Sequence, residues 1–123
     1  MPIIRRPVSL EWTMHAQAKM RQYRLSPARV RRVLHAPRRT EEGIAPDTIA
    51  VMQPASMKTK DSWTQEIWVM VAEVRRGGAD VRRVISAWRY PGVTKPRAAA
   101  ILAAMRREYD EFSKEGAEAV ARA

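Results

Sequence analysis

The sequence contains no cysteine. That absence excludes a disulfide scaffold and a cysteine-ligated zinc site, and it suits a reducing compartment. No apolar run approaches the roughly 18 residues that a membrane helix needs, and the N-terminus carries no signal-peptide hydrophobic region. A cytoplasmic protein without a membrane partner is therefore expected. No phosphate-binding loop, dinucleotide fingerprint, zinc spacing or nucleophile triad is present, so no cofactor and no metal are expected either. There is no internal repeat and no second domain.

What the chain has is positive charge. The formal net charge is +10 for 123 residues. The excess is uneven: residues 1–95 hold 18 basic and 8 acidic side chains, whereas 96–123 hold 5 of each. Most of it is arginine, whose planar fork suits phosphate better than the point charge of lysine. Such a balance points to a polyanionic partner, most simply nucleic acid. A solubilising surface is the plain alternative.

With 46% hydrophobic residues and this length, one domain with its own core is expected over residues 1–123. The core should span about 8–112, between a loose basic arm at 1–7 and a frayed tail at 113–123. Its centre is the stretch from Glu66 to Tyr90, two β-branched and aromatic runs joined through Gly77-Gly78, which reads as a hairpin. With those glycines as the loop, Glu73 falls opposite Arg82 and Glu66 opposite Arg89. Apolar residues then lie on both faces, with Trp68 and Met70 on one and Ile67, Val71 and Trp88 on the other. A hairpin of that kind belongs in the middle of a sheet, covered from two sides.

The remaining elements follow from start and stop signals. Val8 to Trp12 suits a short edge strand, and Thr13 an N-cap for a helix over 14–24. Ser26-Pro27 restarts a helix that ends near His35, before Ala36-Pro37. Strands over 38–44 and 48–53 flank the turn Ala45-Pro46-Asp47, and 54–65 reads as an exposed loop. A long helix starts near Pro96, with Leu102, Met105, Tyr109 and Phe112 as its apolar stripe. The expectation is an α+β fold: two N-terminal helices packed on a four-stranded antiparallel sheet, plus a long C-terminal helix. That last helix either covers the other sheet face or leaves for a partner, including a second copy of the chain.

The string His15-Ala-Gln-Ala-Lys-Met20, then Leu25-Ser26, Val30-Arg-Arg-Val-Leu34, Pro37 and Arg38, resembles a small bacterial domain family of uncharacterised function. That family in turn is similar to the RelE and BrnT ribonuclease toxins, and the resemblance covers roughly residues 10–91. It implies metal-independent cleavage of mRNA, free or at the ribosome, held in check by an antitoxin protein. It also implies His15, Arg89 and Tyr90 as catalytic candidates. The long helix after Pro96 departs from the short form of such domains.

Metal-free RNA cleavage needs a base for the 2′-oxygen, cations for the phosphorane and an acid for the leaving oxygen. His15, in the first turn after Thr13, is the base candidate; alternatively it packs against the sheet and bonds a backbone carbonyl. Arg89 either holds the scissile phosphate or makes a cross-strand ion pair with Glu66. His35 suits a helix C-cap. Lys19, Arg29, Arg32, Arg38, Arg39, Lys58 and Lys60 are the phosphate-binding candidates, and Trp63, in the loop, is the stacking candidate. Three functions stand side by side: a ribonuclease toxin, a non-catalytic RNA- or ribosome-binding module, and a protein-interaction module.

Overall fold

A computed structural model describes residues 9–115 and, for the backbone alone, 120–122. The central hairpin is β4 (Glu66–Arg76) and β5 (Ala79–Tyr90), and it turns at Gly77-Gly78. Both glycines take positive φ, 58° and 81°, which is the demand of a primed two-residue turn. From the turn the register runs as expected through Glu73 opposite Arg82.

Beyond that it slips. Met70 pairs with Ser86 while Val71 pairs with Val84, so Ile85 is an extra residue on β5. Every later partner moves by one: Glu66 lies opposite Tyr90, and Arg89 lies opposite Ile67. The expected Glu66–Arg89 opposition is thus corrected by the bulge. So is the expected face of Trp88, which stacks on Trp68 with ring centroids 6.3 Å apart and planes 10° off parallel.

The sheet has six strands rather than four, in the order β2-β3-β4-β5-β1-β6. β2 (Arg39–Glu42), β3 (Thr48–Pro54), β4 and β5 form the antiparallel part. β1 (Ser9–Thr13) pairs parallel to β5, from Ser9 opposite Val81 to Trp12 opposite Val84, so the sheet is mixed. β6 (Val120–Arg122) pairs antiparallel to β1. Of the tail expected to fray at 113–123, residues 113–115 are helical and 120–122 join the sheet, while 116–119 and 123 lie outside the described residues. The basic arm expected at 1–7 lies outside the described residues. Between β2 and β3, a Cβ on Gly43 would lie 1.9 Å from the Thr48 hydroxyl oxygen, so only glycine fits there.

Thr13 joins β1 to α1 (Met14–Tyr23) and serves both. Its hydroxyl accepts the amide of Ala16 at 3.0 Å as N-cap. It also lies 2.9 and 3.1 Å from the carbonyls of Val84 and Ile85, the acceptors that the bulge exposes. α1 therefore runs on beside β5 where β1 stops. It ends at Arg24, in the left-handed region, and α2 (Pro27–His35) starts on Ser26, whose hydroxyl accepts the Arg29 amide.

Two cores result, one on each face of the sheet. Met20, Val30 and Val33 of the first two helices pack on Ile67, Val69 and Val84. On the other face, α3 (Ala99–Glu115) lays Ile101, Met105 and Phe112 over Met52, Trp68 and Trp88. The C-terminal helix thus covers the sheet. Its buried stripe runs through Ile101, Met105, Glu108 and Phe112, while Leu102 and Tyr109 are only half-buried. It starts three residues later than expected, because Thr94 turns inward and Arg97 breaks the helical path with φ 58°.

Candidate nucleic-acid interface

The three residues implied as catalytic lie apart. His15 is buried beneath the end of α3, with Nδ1 2.7 Å from Glu115 Oε2 and Nε2 2.9 Å from Glu108 Oε1. Glu108 Oε1 also accepts the Ser86 hydroxyl at 2.6 Å, which anchors this cluster at Ser86 on the α3 side of β5. Tyr90 packs on that same side, but four residues further along the strand, about 13 Å away. Arg89 is its neighbour and so faces the other way, toward α1 and α2, where it donates to the Tyr23 carbonyl at 3.3 Å.

Glu66 does not meet Arg89. It is fully buried and accepts four hydrogen bonds: from the indoles of Trp63 and Trp68 at 3.0 and 3.1 Å, and from the Thr94 amide and hydroxyl at 3.0 and 2.6 Å. Four donors around one buried carboxylate replace the water it lost. This ties the loop after β5 to the floor of the sheet.

That arrangement takes several candidate cations out of play. Arg39 donates to Glu41 and, at 2.6 and 2.7 Å, to the Thr94 carbonyl and hydroxyl, with its guanidinium over the Trp68 ring. Lys19 lies 3.4 Å from Glu108 and over the Tyr23 ring. Arg38 reaches Asp61 and covers the Trp63 ring at 5.0 Å, so the stacking candidate has a cation on its face and its N–H bonded to Glu66. Lys58 and Lys60 remain exposed on the loop.

A different set converges. Gln53, Ile67 and Arg89 form one row across β3, β4 and β5. Above that row sits Arg29, half-buried, donating to Gln53 Oε1 at 2.6 Å and to the Pro54 carbonyl at 3.1 Å. Gln53 is itself held, its amide donating to the carbonyls of Arg32 and Ala36 at the end of α2. Arg29 thus has neutral acceptors only. Burial, then the charges of Arg32 and Arg89, hold its pKa below the ordinary arginine value. Arg29 stands in the field of two further guanidiniums, and among the described residues no carboxylate forms an ion pair with any of the three.

The surroundings extend this field. Arg21 and Arg24 border an open hollow at the start of α2, and Arg31, Arg32 and His35 border another at its end. None of these arginines has a carboxylate partner among the described residues; Arg31 instead lies over the Trp12 ring. A signal for this surface is present in the sequence, since residues 12–40 contain no aspartate and no glutamate. Comparison with protein-family models, with curated proteins and with solved structures finds no match for the chain.

Proposed function

We propose that the protein binds RNA through phosphate contacts on the α1–α2 surface, as a binding module rather than a nuclease. One observation carries this: Arg29 is half-buried with neutral acceptors only, beside the charges of Arg32 and Arg89, and no carboxylate among the described residues pairs with any of the three. Like charges gathered at a cost in stability are what an anionic ligand would relieve. The ligand is a chain of phosphates rather than a single one, because arginines also rim the hollows at both ends of α2, an element about 13 Å long. RNA is chosen over DNA on the resemblance to the RelE group. Binding is favoured over cleavage because His15 is buried with both ring nitrogens against carboxylates, out of reach of a substrate and apart from Arg89. Ribosomal RNA and an antitoxin-like protein partner stay within the proposal as sources of that polyanion and of its regulation.

The test is a binding titration of a labelled single-stranded RNA across salt concentration. Affinity should fall by roughly 0.7 log units per log unit of salt for each phosphate contact. Replacing Arg32 and Arg89 by glutamine should lower that slope by about 1.4, with the melting temperature held. No binding at low salt, or the same slope in the double variant, overturns the proposal. RNA incubated with the protein and a chelator should stay intact, with and without translating ribosomes. Fragments ending in a cyclic phosphate would show cleavage and restore the nuclease function.

A further inference from the structure

The cluster around His15 plays no part in the proposed RNA surface, and it has the composition of a metal site. α3 places Glu108, Glu111 and Glu115 on one side at spacings of three and four residues, facing the start of α1. We propose that His15, Glu108 and Glu111 bind one divalent transition-metal ion, zinc for preference, between α1 and α3.

The first support is the orientation of the imidazole. Nδ1 faces Glu115 Oε2 at 2.7 Å, and this turns Nε2 onto Glu108 Oε1 at 2.9 Å. A histidine that gives one ring N–H to a carboxylate and offers the other nitrogen inward is the usual disposition of a metal ligand, with tautomer and ring angle both set. Ser86 holds Glu108 in the same way, donating to its Oε1 at 2.6 Å.

The second support is the state of the two carboxylates. Glu108 is fully buried, yet its Oε2 accepts no hydrogen bond; Lys19 Nζ at 3.4 Å and Arg107 Nε at 3.5 Å are its nearest cations. Glu111 follows one turn later, and its oxygen lies within 4.8 Å of the ligand atoms of both His15 and Glu108. Among the described residues it has no hydrogen bond and no ion pair. Two carboxylates at this separation repel unless a cation lies between them. Lys19 and Arg107 answer Glu108 from its far oxygen, whereas among the described residues no cation answers Glu111, which is partly open to solvent.

The distances fit with small movements. Ligand atoms around tetrahedral zinc stand about 3.3 Å apart, given bonds of about 2.0–2.1 Å. The Nε2–Oε1 pair must open by a few tenths of an ångström and Glu111 must swing inward, which an unbonded side chain does freely. Zinc binds Nε2 through its lone pair, so a proton carried there is released to solvent on binding. Nδ1 keeps its N–H, which donates to Glu115. Three protein ligands leave a fourth position for water. The nitrogen ligand favours zinc over magnesium or calcium, which take oxygen alone.

The test uses the full chain, stripped with a chelator and titrated with zinc chloride at neutral pH. One zinc per chain should bind, releasing protons and raising the melting temperature by several degrees at a large excess over Kd. Glu111→Gln loses no contact with the described residues, so its metal-free melting temperature should match wild type. Its zinc affinity should fall roughly tenfold or more. In ¹⁵N spectra of the histidine rings of wild type, zinc should shift Nε2 of His15. No thermal shift, an equal shift in Glu111→Gln, or a zinc response confined to His35 would each overturn the site.

Discussion

At the scale of single residues, the buried carboxylates decide most. Glu66 satisfies four donors with two oxygens, and a glutamine in its place keeps one acceptor oxygen and turns an N–H₂ toward donors. Hydrogen bonds to a charged group are worth about 1.5–3 kcal/mol each, so Glu66→Gln should cost about 3 kcal/mol in urea unfolding. A loss below about 1 kcal/mol would show the network to be incidental. Little of this was legible beforehand. The hairpin pattern set Glu66 against Arg89, a pairing of charge with charge that needs only the regular register. Its actual partners are neutral, and Thr94 comes from a loop whose course no periodicity describes. The caps fared differently: Thr13 and Ser26 each accept an amide three residues on, as their type and position implied. Capping is local, so the residues that state it are the residues that perform it.

At the scale of elements, α3 takes one of two roles that the sequence left open. Its apolar stripe could have served the sheet or a partner, because periodicity names a face without naming what covers it. The structure lays that face on the second sheet surface, with Met105 fully buried among Trp68 and Trp88. Met105→Ala should therefore cost about 2–5 kcal/mol, and the circular dichroism of the unfolding transition should lose helix and sheet together. Helix loss that precedes sheet loss would show α3 to be a separable arm. The bulge at Ile85 was hidden for a related reason. A Gly-Gly turn announces itself in two residues, but an extra residue in β5 becomes stable only when Thr13, some seventy positions earlier, reaches the carbonyls it frees.

For the molecule as a whole, charge of both signs sets the response to pH. Glu11 is held below the ordinary carboxyl range, chiefly by its hydrogen bond from Arg76, against an opposing effect of burial. For Glu108 burial pushes upward, but the hydrogen bonds from Ser86 and His15 and the charge of Lys19 together outweigh it. A carboxyl lowered in the folded state contributes stability above its unfolded value, near 4.5, and loses it as the pH falls through the lower folded value. Stability should thus be flat with respect to these groups near neutrality and fall below about pH 4.5, with a shallower acid limb in Glu108→Gln. Equal acid limbs would remove Glu108 from the account. The positive excess was plain in the composition, and its place within residues 1–95 was legible by counting. Which cations are free to meet a ligand was not, since Arg38, Arg39 and Lys19 are answered by Asp61, Thr94 and Glu108, far along the chain.

The parallel pairing of β1 with β5 has a consequence for how the chain comes into being. Ser9 must wait for Val81, so on a ribosome the first strand is made long before the strand it lies against. Thr13 likewise waits for Val84 and Ile85 before its hydroxyl has both its bulge acceptors. Until residue 90 has left the exit tunnel, the growing chain can hold two short capped helices and a meander, but it cannot close its sheet. Long-range contacts of this kind slow folding, because the loop between them must be ordered first. Synthesis and folding are therefore nearly sequential for this protein, and its first two helices are complete long before the strands they pack against.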